Sequence, residues 1–147
     1  MSTSSAFNRD ANHVPITTVG LQESKSITFV AGTTGATGTT TLFEVTGTVM
    51  INIYGFCTVD LTGSGTIEVG VTSSMACLCN QQNATAIDNH EVWHEATLAI
   101  GGAVAGHWHP INEDIIQTIA SNTVTGGTIT YYCNWVPVSE DGNVVAA

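Results

Sequence analysis

Positively charged side chains are almost absent from this 147-residue sequence. Arg9 and Lys25 are its only arginine and lysine, against 12 aspartates and glutamates, so the formal net charge at pH 7 is -10. Residues 26–147 contain neither cation. Because binding to nucleic acid requires such cations, the composition excludes a nucleic-acid-binding body and disfavours phosphate-rich cofactors and anionic membranes. The acidity suits the solvent-facing side of a large particle and, equally, an ordinary acidic protein.

Long apolar segments are also missing. No apolar run approaches the ~20 residues of a membrane-spanning helix, and residues 1–26 lack the apolar core of a secretory signal. We therefore expect assembly in the cytosol, with reduced thiols. Two of the cysteines, two residues apart in a strand, would lie roughly 6.6 Å apart, a poor fit to a disulfide. We interpret all four as small buried apolar side chains, with zinc binding or a disulfide as the alternative: Cys57, Cys77, Cys79 and Cys133.

The length of the chain predicts one domain with a core of its own. Residues 1–25 carry Pro15, many polar residues and no sustained periodicity. Such a segment frays or binds a neighbour, so we expect an extended N-terminal arm. Residues 26–147 are expected to form the folded domain, with a Gly/Thr loop over residues 30–41.

Alternation of apolar and polar residues predicts strands throughout residues 26–147. One strand near residues 48–59 has apolar residues on both faces, which predicts a central position; Gly55 within it indicates a bulge or a close approach. Further strands are expected near residues 66–72, 75–80, 114–120 and 128–138, the last ending at Pro137. Residues 114–120 also fit a short helix, but their β-branched content and the hairpin context favour a strand. The first strand is predicted to have Val49, Ile51, Ile53, Cys57 and Val59 on one face and Met50, Asn52, Tyr54 and Phe56 on the other. In the later strands, the side chains predicted to share a face are Ile67, Val69 and Val71, and then Ile129, Tyr131, Cys133 and Trp135.

About eight short strands joined by Gly, Thr and Asn turns are typical of an all-β fold. Residues 122–127 resemble a hairpin loop ending in two glycines. No long amphipathic helix is apparent. We therefore predict a single β-sandwich or jelly-roll-like domain.

One motif resembles an enzyme signature. Residues 90–94 read His-Glu-Val-Trp-His, the H-E-x-x-H pattern of zinc metalloproteases, and Glu113 follows at the separation of a third ligand. That chemistry needs a helix, whereas Val92, Trp93 and Thr97 favour strands. In a strand, His90 and His94 would lie roughly 13 Å apart, too far to share a metal. We expect a loop or strand here and no catalysis.

Other metal sites are conceivable from the sequence. His107 and His109 flank Trp108 and would share a face of a strand, so a surface site with His90 or His94 is an alternative. Aspartates at positions 60, 88, 114 and 141 do not have the spacing of an EF-hand, which leaves only an irregular calcium site. We expect no bound metal and no cofactor.

Short motifs that look familiar occur at residues 9–16, 42–47, 67–70, 87–88, 91–97, 127–135 and 141–147. Together they resemble small structural proteins of tailed bacteriophages and prophages, of the capsid decoration or head-fibre type. Residues 91–94 carry the pattern acidic, apolar, Trp, His, and His90 is incidental to it. The resemblance therefore weakens the protease interpretation further.

The resemblance implies a virion component that is assembled in the host bacterial cytoplasm. We expect a homo-oligomer, with a trimer favoured, that binds the major capsid protein or neighbouring virion proteins, and neither nucleic acid nor membrane. A tail, neck or fibre-adaptor protein is the main alternative. A glycan-binding module using exposed Trp93, Trp108 or Trp135 is another. The residues expected to make contacts are Arg9, Asp10, Asn12, Val14, Pro15, Trp93 and His94.

Overall fold

The computed structural model describes residues 21–94 and 108–147. Within these ranges the chain forms ten β-strands and one turn of 3-10 helix at Ala84–Ala86. The high content of β-branched residues and the alternating pattern account for the strands. In chain order they are β1 (Leu21–Thr28), β2 (Gly38–Thr46), β3 (Val49–Gly63), β4 (Thr66–Val71), β5 (Ser74–Asn83), β6 (Val92–Trp93), β7 (His109–Ile111), β8 (Ile115–Ala120), β9 (Val124–Pro137) and β10 (Asn143–Ala146).

The strands form two five-stranded antiparallel sheets. Sheet one has the order β1-β9-β3-β6, and β7 also pairs with β3. Sheet two has the order β10-β2-β8-β4-β5. Apolar side chains from both sheets form one buried cluster. The predicted all-β, sandwich-like fold is therefore confirmed.

The inward faces of the two longest strands follow the predicted alternation. On β9, the four side chains predicted to share one side are all buried, and β9 ends at Pro137 as expected. The prediction for Val59 on β3 is wrong, because its side chain is 53% exposed. The register between β3 and β9 shifts between Cys57 and Val59, which breaks the alternation at that point.

Gly55 marks a close approach of side chains rather than a bulge. Its neighbours keep a regular register with β9. A Cβ atom added at Gly55 would lie 2.8 Å from Cγ2 of Ile129 and 3.2 Å from the Tyr131 ring. The core therefore fills the space that a side chain at position 55 would need.

The prediction of a hairpin at residues 122–127 is wrong. Strand β8 belongs to sheet two and β9 to sheet one, so the short turn after Ala120 crosses between the sheets. Gly126 and Gly127 lie inside β9, next to a stretch where the β3–β9 register shifts. The β-strand expected near residues 114–120 is confirmed as β8.

Several boundaries also differ from the sequence-based expectation. Residues 21–25, which the sequence assigned to the arm, belong to β1. The whole of β1 pairs with β9. The loop between β1 and β2 spans residues 29–37, so it is shorter than expected. The strand expected at residues 75–80 extends over Ser74–Asn83.

One side of the sandwich is closed by a contact between its two sheets. The Lys25 side chain on β1 donates a hydrogen bond to the backbone oxygen of Ala147, which follows β10. Lys25 is the only lysine or arginine in residues 21–94 and 108–147. The one cation of the described domain thus joins the edge strands of the two sheets.

Candidate interaction surface

The H-E-x-x-H motif is not helical. Val92 and Trp93 form the short strand β6, which pairs with Gly55 and Phe56 of β3. His90 has a left-handed backbone (φ 69°), and its N–H donates to the carbonyl oxygen of Cys57 at 2.8 Å. The expectation of a loop or strand at this motif is confirmed. The two histidines therefore lack the one-turn helical spacing that the protease site requires.

Three of the carboxylates named as metal ligands accept hydrogen bonds from backbone N–H groups. Oδ1 of Asp60 accepts the N–H of Asn89 at 2.6 Å, and Oδ1 of Asp114 accepts the N–H of Val45 at 2.9 Å. Oε2 of Glu113, the suggested third zinc ligand, accepts the N–H of Ser73 at 3.1 Å. Among residues 21–94 and 108–147, no three His, Cys, Asp or Glu side chains come together as a metal site.

The histidine candidates are spread over the molecule. His90 packs edge-on against the Phe56 ring, with 6.4 Å between ring centroids. His94 directly follows β6, and His109 begins β7. His107 lies outside the described residues, as do the arm residues Arg9, Asp10, Asn12, Val14 and Pro15.

Two of the three tryptophans lie in the core. Trp93 is 6% exposed and tilts against the Tyr131 ring, and Trp135 is 5% exposed. The alternative that these two rings stack on sugars is therefore wrong, because a ligand cannot reach their faces. Trp108 is half-buried, and His94 beside Trp93 is exposed.

A shallow cleft of about 250 Å³ lies where the edge strand β5 faces β7. Its lining includes Cys77, His109 and Glu113. All four cysteines are free thiols; three are buried as expected, and Cys77 is half-buried. Burial raises the pKa of Cys57, and it raises that of Cys133 to about 12, so neither thiol has the character of a nucleophile.

The most distinctive surface is the outer side of sheet one, which we call the neutral face. Its residues alternate along three neighbouring strands with residues whose side chains point inward. None of them is charged at pH 7. They are Gln22, Ser24, Ser26 and Thr28 of β1; Thr128, Thr130, Tyr132, Asn134 and Val136 of β9; and Met50, Asn52, Tyr54 and Phe56 of β3.

Cross-strand contacts order the side chains of the neutral face. Tyr54 and Tyr132 stand directly opposite each other and stack, with 5.3 Å between ring centroids. In the next row Nε2 of Gln22 donates to Oδ1 of Asn134 at 2.9 Å. Hydroxyl pairs follow on the other side, and the Ser26 and Thr130 oxygens are 2.6 Å apart. Contacts between neighbouring strands therefore connect side chains across the face.

The acidic side chains of the described residues lie elsewhere. Glu23 alternates with the neutral-face residues on β1 and is opposite buried Cys133, so it points to the other side of the sheet. Glu44 and Glu68 belong to sheet two. Asp60 lies in β3, beyond the register shift that follows Cys57. The others lie near strand ends and in loops: Asp88, Glu91, Glu113, Asp114, Glu140 and Asp141.

Sequence reasoning did not identify the neutral face. The signal is present as uncharged residues at every second position of residues 22–28 and 128–136. To see that the two segments form one surface, one must know that β1 and β9 are neighbours and in which register they pair. The alternation of residues alone does not provide this.

Comparison with protein-family models, with curated proteins and with solved structures finds no match to this chain. In residues 21–94 and 108–147, no helix has the length and hydropathy needed to cross a membrane.

Proposed function

We propose that this protein is a structural component of a bacteriophage virion that decorates the capsid surface as a homo-oligomer, with a trimer favoured. The observation that carries the proposal is the separation of charge. In residues 21–94 and 108–147 the one lysine is bonded to Ala147, and the neutral face carries no carboxylate. That arrangement suits a protein with one face for contacts and acidic surfaces turned to solvent.

The resemblance to phage proteins supports a virion as the assembly to which this chain belongs. It covers segments across most of the chain, including residues 67–70 in β4 and 127–135 in β9. The residues of β9 supply both core and neutral face. We propose that the major capsid protein or a neighbouring virion protein is the binding partner. We further propose a role without catalysis, since the one enzyme-like motif forms a loop and a two-residue strand.

Imaging of purified virions tests the proposal directly. We expect density for this chain on the capsid surface, in hundreds of copies per particle by gel densitometry. A handful of copies at the neck or tail would favour the alternative of a tail, neck or fibre-adaptor protein. Absence of the chain from purified virions would refute a virion role.

A second experiment tests the arm. Deleting residues 1–20 removes Arg9 and Pro15 but keeps all of β1, whereas deletion to residue 24 would also remove half of that strand. We expect the shorter chain to fold, with an unchanged thermal midpoint, and to fail to enter virions. Arg9→Gln in the full chain is the matched variant for the cation alone. Normal incorporation of the 21–147 chain would contradict attachment through the arm.

Purified protein also tests the zinc alternative. We expect elemental analysis to find no stoichiometric zinc, and Glu91→Gln to leave incorporation unchanged, because Glu91 accepts the N–H of Asp88 at 3.0 Å in a surface loop. Stoichiometric zinc that is lost in a His90→Ala variant would contradict this assignment.

A further inference from the structure

Contacts between copies of this chain face an electrostatic obstacle. Each copy carries a formal charge of -10, so copies repel one another at a distance. In the described residues the only cation, Lys25, is already bonded to Ala147. A contact that buried carboxylates without cationic partners would carry an uncompensated desolvation cost. Among the surfaces of residues 21–94 and 108–147, an uncharged one therefore offers the least costly contact between copies.

We propose that the neutral face packs against the same face of other copies around a symmetry axis. The proposal rests on the proposed function in one respect, since that function requires copies to lie side by side. Close to a symmetry axis each residue meets its own counterpart. A charged residue close to the axis would therefore meet the same charge on another copy. The neutral face has no charged residue, so it avoids this repulsion.

The side chains of the neutral face suit contact with their own copies. Asn52, Asn134 and Gln22 carry both donors and acceptors, so an amide of one copy can pair with the same amide of another. The hydroxyl groups of Ser26 and Thr130 have the same property. Tyr54 and Tyr132 add aromatic surface at the centre, a residue type that is enriched in protein interfaces.

The size of the face predicts a weak contact. From Thr128 to Val136 the strand rises about 26 Å, and three strands span about 15 Å, which gives roughly 400 Å² per copy. Stable interfaces bury about 800 Å² per partner. We therefore expect a dissociation constant above about 1 μM in solution, and a much higher occupancy where the copies are tethered to one particle.

The decisive variants place opposite charges in the central row of the neutral face. Ser24 is exposed and stands opposite Tyr132, so Ser24→Glu and Ser24→Lys leave the core untouched. Thr46→Glu and Thr46→Lys, at an exposed position of sheet two, are the matched controls. Sedimentation velocity over a concentration series measures the association of each variant.

We expect the unmodified chain to associate reversibly into dimers or trimers. Ser24→Glu and Ser24→Lys should each raise the dissociation constant at least about tenfold, because like charges meet across the contact. A mixture of the two should recover association. The Thr46 variants should behave as the unmodified chain, and thermal midpoints of all variants should agree.

The salt dependence provides an independent test. Raising NaCl from about 20 to about 300 mM screens the repulsion between acidic copies, so association should become stronger. An interface built on ion pairs would become weaker. Weakening with salt would overturn the proposal.

Other occupants of the face give different results. If the chain's own first 20 residues covered it, Ser24→Glu would lower the thermal midpoint without changing the mass, and the proposal would fall. It would also fall if Ser24→Glu and Thr46→Glu associated equally, or if the unmodified chain stayed monomeric at every concentration. Presence in virions is measured separately. A chain that is found in virions but stays monomeric in solution would refute self-association through the neutral face without refuting the proposed virion role.

Discussion

The hydroxyl group of Tyr131 donates a hydrogen bond to Oε1 of Gln117 across the buried core, with 2.6 Å between the two oxygens. The bond joins sheet one to sheet two, since Tyr131 lies on β9 and Gln117 on β8. Within the described residues Nε2 of Gln117 has no partner. The pair is therefore a polar contact in an apolar interior, satisfied on one side only.

Removing one partner of this bond should destabilise the fold. Tyr131→Phe leaves Oε1 of Gln117 buried without a donor, and we expect a loss of about 1–3 kcal/mol in the free energy of unfolding. The double variant Tyr131→Phe with Gln117→Leu removes both polar groups, including the unpartnered Nε2. We expect it to be more stable than the single variant. Urea denaturation of the four chains of this cycle measures the coupling, and additive effects would show that the bond contributes nothing.

Alkaline pH should destabilise the protein through buried acids. Burial raises the pKa of Cys133 from 9.0 to about 12, and it raises that of Tyr131 well above its usual 10.0. Above pH 9 the unfolded chain releases protons that the folded chain retains, so stability is full below pH 9 and falls as the pH rises toward 12. The slope should be about 1.4 kcal/mol per pH unit for each such group. Cys133→Ala should show a shallower decline between pH 9 and 12, and identical curves would contradict the assignment.

The four thiols should differ in reactivity. Cys77 is half-buried at the shallow cleft, while the other three cysteines are buried. Brief treatment of the native protein with iodoacetamide at pH 8 should modify Cys77 first, as read by peptide mass spectrometry. Urea-unfolded protein, in which all four should react, is the control. Faster labelling of Cys133 than of Cys77 would contradict the burial described here.

A side chain at position 55 should be poorly tolerated. In Gly55→Ala the new Cβ would lie 2.8 Å from Cγ2 of Ile129, so the core must shift, at a cost of about 1–3 kcal/mol. Gly126→Ala is the comparison, because its nearest contact is the Thr62 hydroxyl at 3.0 Å. Thermal denaturation should show a larger loss for Gly55→Ala. Equal losses would indicate that strand propensity, rather than crowding, decides the effect.

The fold class and the inward faces follow from the sequence because one buried side per strand imposes a period of two. Ile129 and Cys133 were assigned correctly on that basis alone. Val59 was not, because the register shift after Cys57 breaks the period without a sequence signal. The separation of β8 from β9 also escaped prediction, since turn residues after Ala120 indicate a reversal but not which sheet receives the next strand.

The charged residues of β1 oppose the addition of strands from other copies at this edge of the sheet. An outer strand with open backbone groups is a template for adding further strands, and side chains with charge turned inward oppose such growth. Glu23 and Lys25 occupy those positions on β1, and Lys25 is anchored to the end of the opposite sheet. Copies held at high density should therefore remain separate folded units instead of merging edge to edge into fibrils. Replacing both residues with threonine should remove that protection and make concentrated solutions prone to amyloid-like aggregation.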